Sequence, residues 1–240
     1  MVNAFSFCLF GETSVLYHHG LLENIDMIKT HYPGWVIYVY LGADTESGYR
    51  NYLLRDPVIR VRDTGITGFK NTVHRFFAID DPDVEVCFFR DADSRVHWRD
   101  RWAIDGFLTT QYRAHIIRDH PEHSTRIAAG MWGLRKSALE EPIRQLFDGW
   151  TPVFSGSGSP DAVEGFGIDQ NFLTREIYPR IRSIALVHFS NKQRFESEAG
   201  AAFPFQWTND NYCGRREIPP FRDTTKPRFL FPSILVKLSG

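Results

Sequence analysis

Cysteine is scarce in this sequence: Cys8, Cys87 and Cys213 are the three in 240 residues. At those spacings they make neither a disulfide framework nor a zinc-ligand pattern. Cys8 and Cys87 fall inside apolar runs, where a thiol behaves as a small hydrophobe, so a reducing compartment is expected. No apolar run approaches the roughly 20 residues that a membrane-spanning helix needs. The N-terminal stretch AFSFCLF is too short for a secretion signal and lacks its charged flank. The expectation is a cytoplasmic protein with no transmembrane segment. An excess of charge of one sign is missing as well. Lys plus Arg number 28 against 29 Asp plus Glu, which leaves no overall field for nucleic acid or an anionic membrane surface.

Aromatic residues, by contrast, are abundant at 15%, with 20 Phe. They either fill a bulky core or supply flat faces for sugars and bases. The length suits one large domain with ample core. Apolar runs at Phe5–Phe10, Trp35–Leu41, Val58–Val61 and Val84–Phe89 read as buried strands. Between them, Leu21–His31 carries Leu22, Ile25 and Ile28 at helical spacing and stops at Pro33–Gly34, and Phe69–Ile79 places Val73, Phe76 and Phe77 on one helical face. Further on, Trp98–Leu108 reads as a helix and His115–Ile117 as extended. Lys136–Phe147 is a helix interrupted near Pro142, Ile168–Ile177 a helix and Ile184–Phe189 a strand. SGSGSP at 155–160 is a flexible loop. Such alternation predicts an α/β fold, a mostly parallel mixed central sheet flanked by helices. Ligands then bind beyond the carboxyl ends of the strands. Residues 1–202 form the predicted domain. Residues 203–240, with Pro204, Pro219, Pro220, Pro227 and Pro232, form an irregular tail packing on it. From Trp207 this tail carries six Lys and Arg, Arg216 among them, against three acids, a positive excess that attracts an anion or is simply solvated.

One strand end stands out. VEVCFFRDADSR places Asp91 and Asp93 at i and i+2 directly after the fourth strand. Two carboxylates that close repel each other unless a cation lies between them, and a hard divalent ion with oxygen ligands is one such cation. The plain alternative is a polar turn in which Asp93 or Ser94 caps the next helix. A third ligand is offered by His188, near the end of the strand-like IALVHF. Mixed oxygen and nitrogen ligation suits Mn²⁺ at least as well as Mg²⁺.

The strand-DxD at Cys87–Asp93, GIDQNFL at 167–173 and HFSNK at 188–192 follow one another in an order that resembles metal-dependent glycosyltransferases of the GT-A fold. Asp-Gln at a helix start, then a strand ending in His-Phe, is similar to the glycogenin and lipopolysaccharide galactosyltransferase group. RDADSR and HIIRDHPEHSTRIAAGMWGLR resemble small glycosyltransferase domains of bacteria and large algal viruses. The likeness covers roughly residues 4–192. HFSNK lacks the Gly and the Lys-Pro-Trp that usually follow the His in the glycogenin-like group.

The resemblance implies transfer of a sugar from a UDP- or GDP-sugar to a glycan or other hydroxyl acceptor, with Asp91, Asp93 and His188 holding Mn²⁺ or Mg²⁺. Phe10 and Gly11 would lie by the nucleotide, Tyr17 would stack on the base, and Arg75 and Arg90 would contact the donor. Asp91 would reach ribose or metal, and Lys192 would grip the diphosphate. Asp169 and Gln170 would face the sugar as catalytic groups, with Asp169 orienting a donor hydroxyl or acting as base or nucleophile. Gly130 would let backbone approach the sugar and Trp132 would offer it an aromatic face. Asp119, which follows the extended His115–Ile117, would line the acceptor side as a catalytic base. Each has an ordinary structural counterpart: a salt bridge for Arg90 and Arg95, an N-cap for Asp169, a core position for Trp132. Two other readings remain at this stage, a metal-dependent nucleotidyltransferase or phosphohydrolase and a non-catalytic sugar-binding module.

Overall fold

The structure, a computed structural model, describes residues 1–151, 165–190, 195, 198–208 and 211–216. Eight strands among these residues form one sheet in the order β3-β2-β1-β4-β6-β5-β7-β8. They are β1 (Val2–Leu9), β2 (Val36–Leu41), β3 (Ile59–Asp63), β4 (Val84–Phe89), β5 (Ala114–Arg118), β6 (Trp132–Arg135), β7 (Ala185–Phe189) and β8 (Ala199–Ala202). β6 runs antiparallel to both β4 and β5, and every other pairing is parallel. The expected mostly parallel mixed sheet is therefore the one observed.

Alternation along each strand sorts side chains between two faces. Cys87 and Phe89 of β4 point to a core with Val73, Phe76 and Phe77, from the 3₁₀ helix Gly68–Asp80. Val86 and Phe88 point the other way. There they meet Leu21, Ile25 and Ile28 of α1 (Gly20–His31), and Ile104 and Phe107 of α3 (Trp98–Leu108). Both layers of helix thus sit where the apolar periodicity demands.

Several elements depart from the sequence reading. The expected helix over 69–79 is wound as 3₁₀. Lys136–Phe147 splits into a 3₁₀ turn, Lys136–Ala138, and α4 (Ile143–Asp148), with Pro142 at the N-cap where its missing N–H costs nothing. The helix after Gly167 begins as α5 (Ile168–Phe172) and widens to π winding over Leu173–Ile177. Short α2 (Ser47–Leu53) and the strands β6 and β8 were not legible. β8 reads AGAA, which has no intrinsic strand preference; its four pairings with β7 make it a strand. SGSGSP at 155–160 and Lys192 lie outside the described residues. No helix among the described residues is long and apolar enough to cross a membrane.

Candidate functional site

β1 and β4 are adjacent and parallel, so the segments after Leu9 and Phe89 leave the sheet side by side. Between them opens a cleft of about 1010 Å³. Phe10, Gly11 and Tyr17 line it after β1. Asp91 and Asp93 line it after β4, and Arg75, Gly130, Asp169 and Gln170 complete its floor. The cleft therefore gathers nine of the residues singled out in the sequence.

Arg75 organises that floor. Its side chain is 2% exposed, yet it carries a full charge into the protein. Nη2 lies 2.9 Å from Asp91 Oδ1 and donates to Asp169 Oδ2 at 2.7 Å, while Nη1 donates to Cys8 Sγ at 3.1 Å. A buried cation needs such partners, since an unpaired one costs several kcal/mol. Burial pushes the Cys8 thiol up to about 11, so it stays protonated and inert. Asp169 is not the helix cap that its sequence position suggested. Gly167 occupies the cap at φ +73°, and Asp169 Oδ1 accepts from Gln170 N at 2.8 Å. Gln170 reaches back to the strand connection before β6. Its Nε2 donates to Ile127 O at 2.6 Å, and its Oε1 accepts from Ala129 N at 3.2 Å. This pins Gly130 against Asp91, where an added Cβ would overlap the carboxylate. Glycine is required there for the close approach itself.

Asp93 is 6% exposed, and burial together with the charge of Asp91 pushes its pKa up. Its Oδ2 lies 3.0 Å from Nε of Arg216, a residue of the basic tail. Beside the carboxylates runs an aromatic ledge. Phe10 meets Phe69 edge-on at 5.4 Å between ring centroids, and Phe69 meets Phe166 at 5.1 Å. Tyr17 is 45% exposed and Phe166 67%. Phe69, Phe166, Arg216 and Tyr212 escaped the residue-by-residue sequence reading. The strand-end rule points only to residues that follow a strand, and the basic composition of the tail was the one available hint of Arg216.

Four other expectations fall elsewhere, and a fifth lies outside the described residues. His188 is buried on the α3 face of the sheet, with Nδ1 2.8 Å from His115 Nε2 and Trp102 edge-on at 5.3 Å. It shares the strand parity of Leu186, whereas Asp91 continues the parity of Cys87 and Phe89 on the opposite face. The set Asp91, Asp93 and His188 is thus not brought together, and no group of three His, Cys, Asp or Glu among the described residues is placed to hold a metal. Asp119 is fully buried and accepts from Arg99 Nε and Nη2 at 2.5 and 2.6 Å, from Ser190 Oγ at 2.6 Å and from Cys213 N at 2.9 Å. Its lone pairs are committed to structure, and it does not line the cleft. Arg90 is likewise buried. It pairs with Asp100 at 3.3 Å and donates to Phe89 O and Trp132 O, so it holds β4 to β6 rather than touching a ligand. Trp132 is fully buried, with Phe89 4.4 Å and Phe76 5.2 Å from its ring centroid. The fifth is Lys192. Arg95, undecided from sequence, pairs with Glu23 at 2.5 Å.

The buried histidines have a consequence for stability. Burial lowers the pKa of His18, His74 and His115, and takes His123 and His188 down to about 4. In the unfolded chain these rings titrate near about 6.5. Between the two values the unfolded chain binds more protons, so stability is lost as the pH falls below about 6.5. Burial raises Asp26, Asp80 and Asp93, which act oppositely at lower pH. Urea unfolding at about pH 7 and about pH 5.5 isolates the histidine effect. The midpoint is expected to be lower at the more acidic pH; an equal or higher one contradicts the assignment.

No protein-family model and no curated protein matches the chain. Solved structures with similar backbones do exist. One is a glycosyltransferase involved in the glycosylation of the major capsid of PBCV-1, at 17% identity and TM-score 0.49, covering 79% of this chain and 82% of that one. A second is the mannosyltransferase PcManGT from Pyrobaculum calidifontis, in complex with GDP-Man and Mn²⁺, at 15% identity and TM-score 0.43. That match covers 58% of this chain and 45% of the other, so it spans less than half of the mannosyltransferase. A third is 4-diphosphocytidyl-2C-methyl-D-erythritol synthase from Anaerococcus prevotii, at 12% identity and TM-score 0.48, covering 81% and 89%. Likenesses at these values carry no functional weight, which rests on the residues of the cleft.

Proposed function

We propose that the chain is a glycosyltransferase that moves a sugar from a UDP- or GDP-sugar to a glycan or other hydroxyl acceptor. The observation that carries this reading is the meeting of Asp91, Asp93, Arg75 and Asp169 with an aromatic ledge in one cleft at the carboxyl ends of β1 and β4. A nucleotide sugar has three parts, and the cleft has a feature suited to each. A base stacks on flat apolar rings, which Phe10, Phe69, Phe166 and Tyr17 provide. A diphosphate calls for positive charge, and a sugar calls for oriented carboxylate and amide groups of the kind found at Asp169 and Gln170.

The carboxylates fit a hard divalent ion of a particular kind. Two aspartates with no histidine match a Mg²⁺ or Mn²⁺ that completes its shell with substrate phosphate oxygens and water. Asp93, whose pKa is raised by burial and by Asp91, gains most from such a charge. When bound, the ion would act as a Lewis acid and stabilise the negative charge that builds on the leaving diphosphate. The protein's own part is positional. Arg75 fixes the directions of Asp91 and Asp169, Gln170 and Gly130 hold the backbone that presses on Asp91, and Arg216 supplies a cation beside Asp93.

Thermal shift with a panel of UDP- and GDP-sugars, with Mn²⁺ or EDTA, tests the reading. At a donor concentration a hundredfold above Kd, stabilisation is about 2.7 kcal/mol, roughly 5–10 °C for a domain of this size. One sugar donor is expected to give that shift only with metal, and to release nucleoside diphosphate slowly. Stabilisation by nucleoside triphosphates with pyrophosphate release would instead indicate a nucleotidyltransferase. Turnover undiminished by EDTA would remove the metal.

A further inference from the structure

A second group of cleft residues has no part in the donor roles above. Glu122 and His123 follow β5, while Tyr212 and Gly214 come from the segment after β8. That segment is anchored by its backbone at three points. Cys213 N donates to Asp119 Oδ2 at 2.9 Å, Arg95 N donates to Arg215 O at 2.9 Å, and Tyr212 O lies 3.0 Å from His97 Nε2. Cys213 itself is fully buried. This part of the tail is a fixed wall.

The Tyr212 ring stacks on His120 with centroids 4.2 Å apart, and His120 is in turn braced edge-on by Trp207 at 4.7 Å. Its hydroxyl has no protein partner among the described residues. The state of His123 follows from one hydrogen bond. Asp119 N donates to its Nδ1 at 3.2 Å, and a backbone N–H can only donate, so Nδ1 carries no proton. Burial and the neighbouring His120 hold the pKa at about 4, which leaves the ring neutral at pH 7. The single ring proton is therefore on Nε2, and that N–H has no partner among the described residues. Gly214, at φ +84°, keeps side-chain bulk away: a Cβ there would lie 3.5 Å from His123 Nε2 and 3.0 Å from Met131 Sδ. Glu122 stands at the rim with its side chain 86% exposed.

An aromatic ring on a rigid backing, one neutral N–H donor, one phenol and one rim carboxylate form a set without a cation of its own, the cleft's Arg75 and Arg216 being paired with Asp91, Asp169 and Asp93. That set matches a neutral ring bearing hydroxyls. C–H bonds lie against the aromatic face, one oxygen accepts from N–H, and hydroxyls donate to the carboxylate. A phosphorylated or acidic acceptor would call for Arg or Lys instead.

We propose that Tyr212, His123 and Glu122 form the acceptor subsite, and that the acceptor is a sugar that lies on Tyr212 and accepts from His123 Nε2–H. The proposal rests on the transferase reading and narrows its acceptor from any hydroxyl to a carbohydrate. His123 is a positioning residue here. Its one basic nitrogen is occupied by Asp119 N–H, so it does not take the proton of the attacking hydroxyl.

The test uses the whole chain and a panel of methyl α- and β-glycosides of glucose, galactose, mannose, fucose and N-acetylglucosamine. Binding is followed by saturation-transfer NMR, and transfer by acceptor KM. His123→Asn keeps an acceptor for Asp119 N–H but removes the Nε2 donor; His123→Gln places an amide near the Nε2 position; Tyr212→Ala removes the ring and leaves all three backbone anchors. Acceptor KM is expected to rise at least roughly tenfold in His123→Asn and Tyr212→Ala, with donor Kd shifting less than about twofold, and to recover in part in His123→Gln. An unchanged acceptor KM, or equal losses for donor and acceptor, would overturn the subsite. So would a wild-type protein that binds its donor but no glycoside. Failure of the transferase reading shows separately, as no binding of any nucleotide sugar. NMR binding of glycosides, and its loss in His123→Asn, would still decide the subsite.

Discussion

Asp93→Ala is expected to slow release of nucleoside diphosphate from the sugar donor by roughly 10²–10³-fold while leaving Tm within about 2 °C of wild type, about half a kcal/mol at this size. The two halves of that expectation have different causes. The activity loss follows if Asp93 holds the charge that stabilises the leaving group. The small stability effect follows from its partner. Arg216 is 69% exposed at the side chain, and an ion pair with so exposed a member contributes about 0–1 kcal/mol. Burial and Asp91 already oppose the Asp93 charge, so the fold loses little with it. Asp91→Ala behaves differently. It removes one of two carboxylates that neutralise the buried Arg75, so activity and stability fall together. Donor hydrolysis with Mn²⁺, alongside thermal melts of both variants, separates the cases. Asp93→Ala that keeps full turnover would remove it from the site. A melt lowered as far as that of Asp91→Ala would recast it as structural.

Asp119→Ala is expected to be the most destabilising of these changes, by about 3–5 kcal/mol, or roughly 6–20 °C in Tm at ~2–4 °C per kcal/mol. Arg99 and Asp119 are both fully buried and bonded side by side. Deleting the carboxylate leaves a guanidinium in the interior with no counter-charge. It also removes the acceptor for Ser190 Oγ and Cys213 N, which tie the residue after β7 and the segment around Cys213 to the end of β5. Replacing both members, Arg99→Met with Asp119→Leu, should recover part of the loss, because an apolar pair has no charge to desolvate. If Asp119→Ala melts like wild type and loses only kcat, the catalytic role inferred from its strand-end position would stand.

That contrast shows how far the residues alone could go. The site was legible where it obeyed a local rule. Phe10, Gly11, Asp91 and Asp93 follow β1 and β4 directly, and in a parallel sheet the carboxyl ends of adjacent strands share one crevice. Asp119 and Arg90 obey the same rule and yet are structural. Their partners, Arg99 and Asp100, lie on α3, packed close by but invisible to any strand pattern. The core position of Trp132 could not be told from a sugar face because β6 is four residues long and contains a glycine, too short to display an alternating pattern.

The sequence by itself determined the alternation of strands and helices, the mixed sheet and the end of it that carries Asp91 and Asp93. These depend on periodicity and on residues next to each other in the chain. The tertiary structure alone decided that His188 faces away from those aspartates. Period two fixes which residues share a face, not which face meets which helix. It also decided that Arg75 binds both Asp91 and Asp169, and that Arg216 reaches Asp93. Those contacts join residues up to 123 positions apart, from Asp93 to Arg216, and a pairing over that separation is set by packing of the whole sheet.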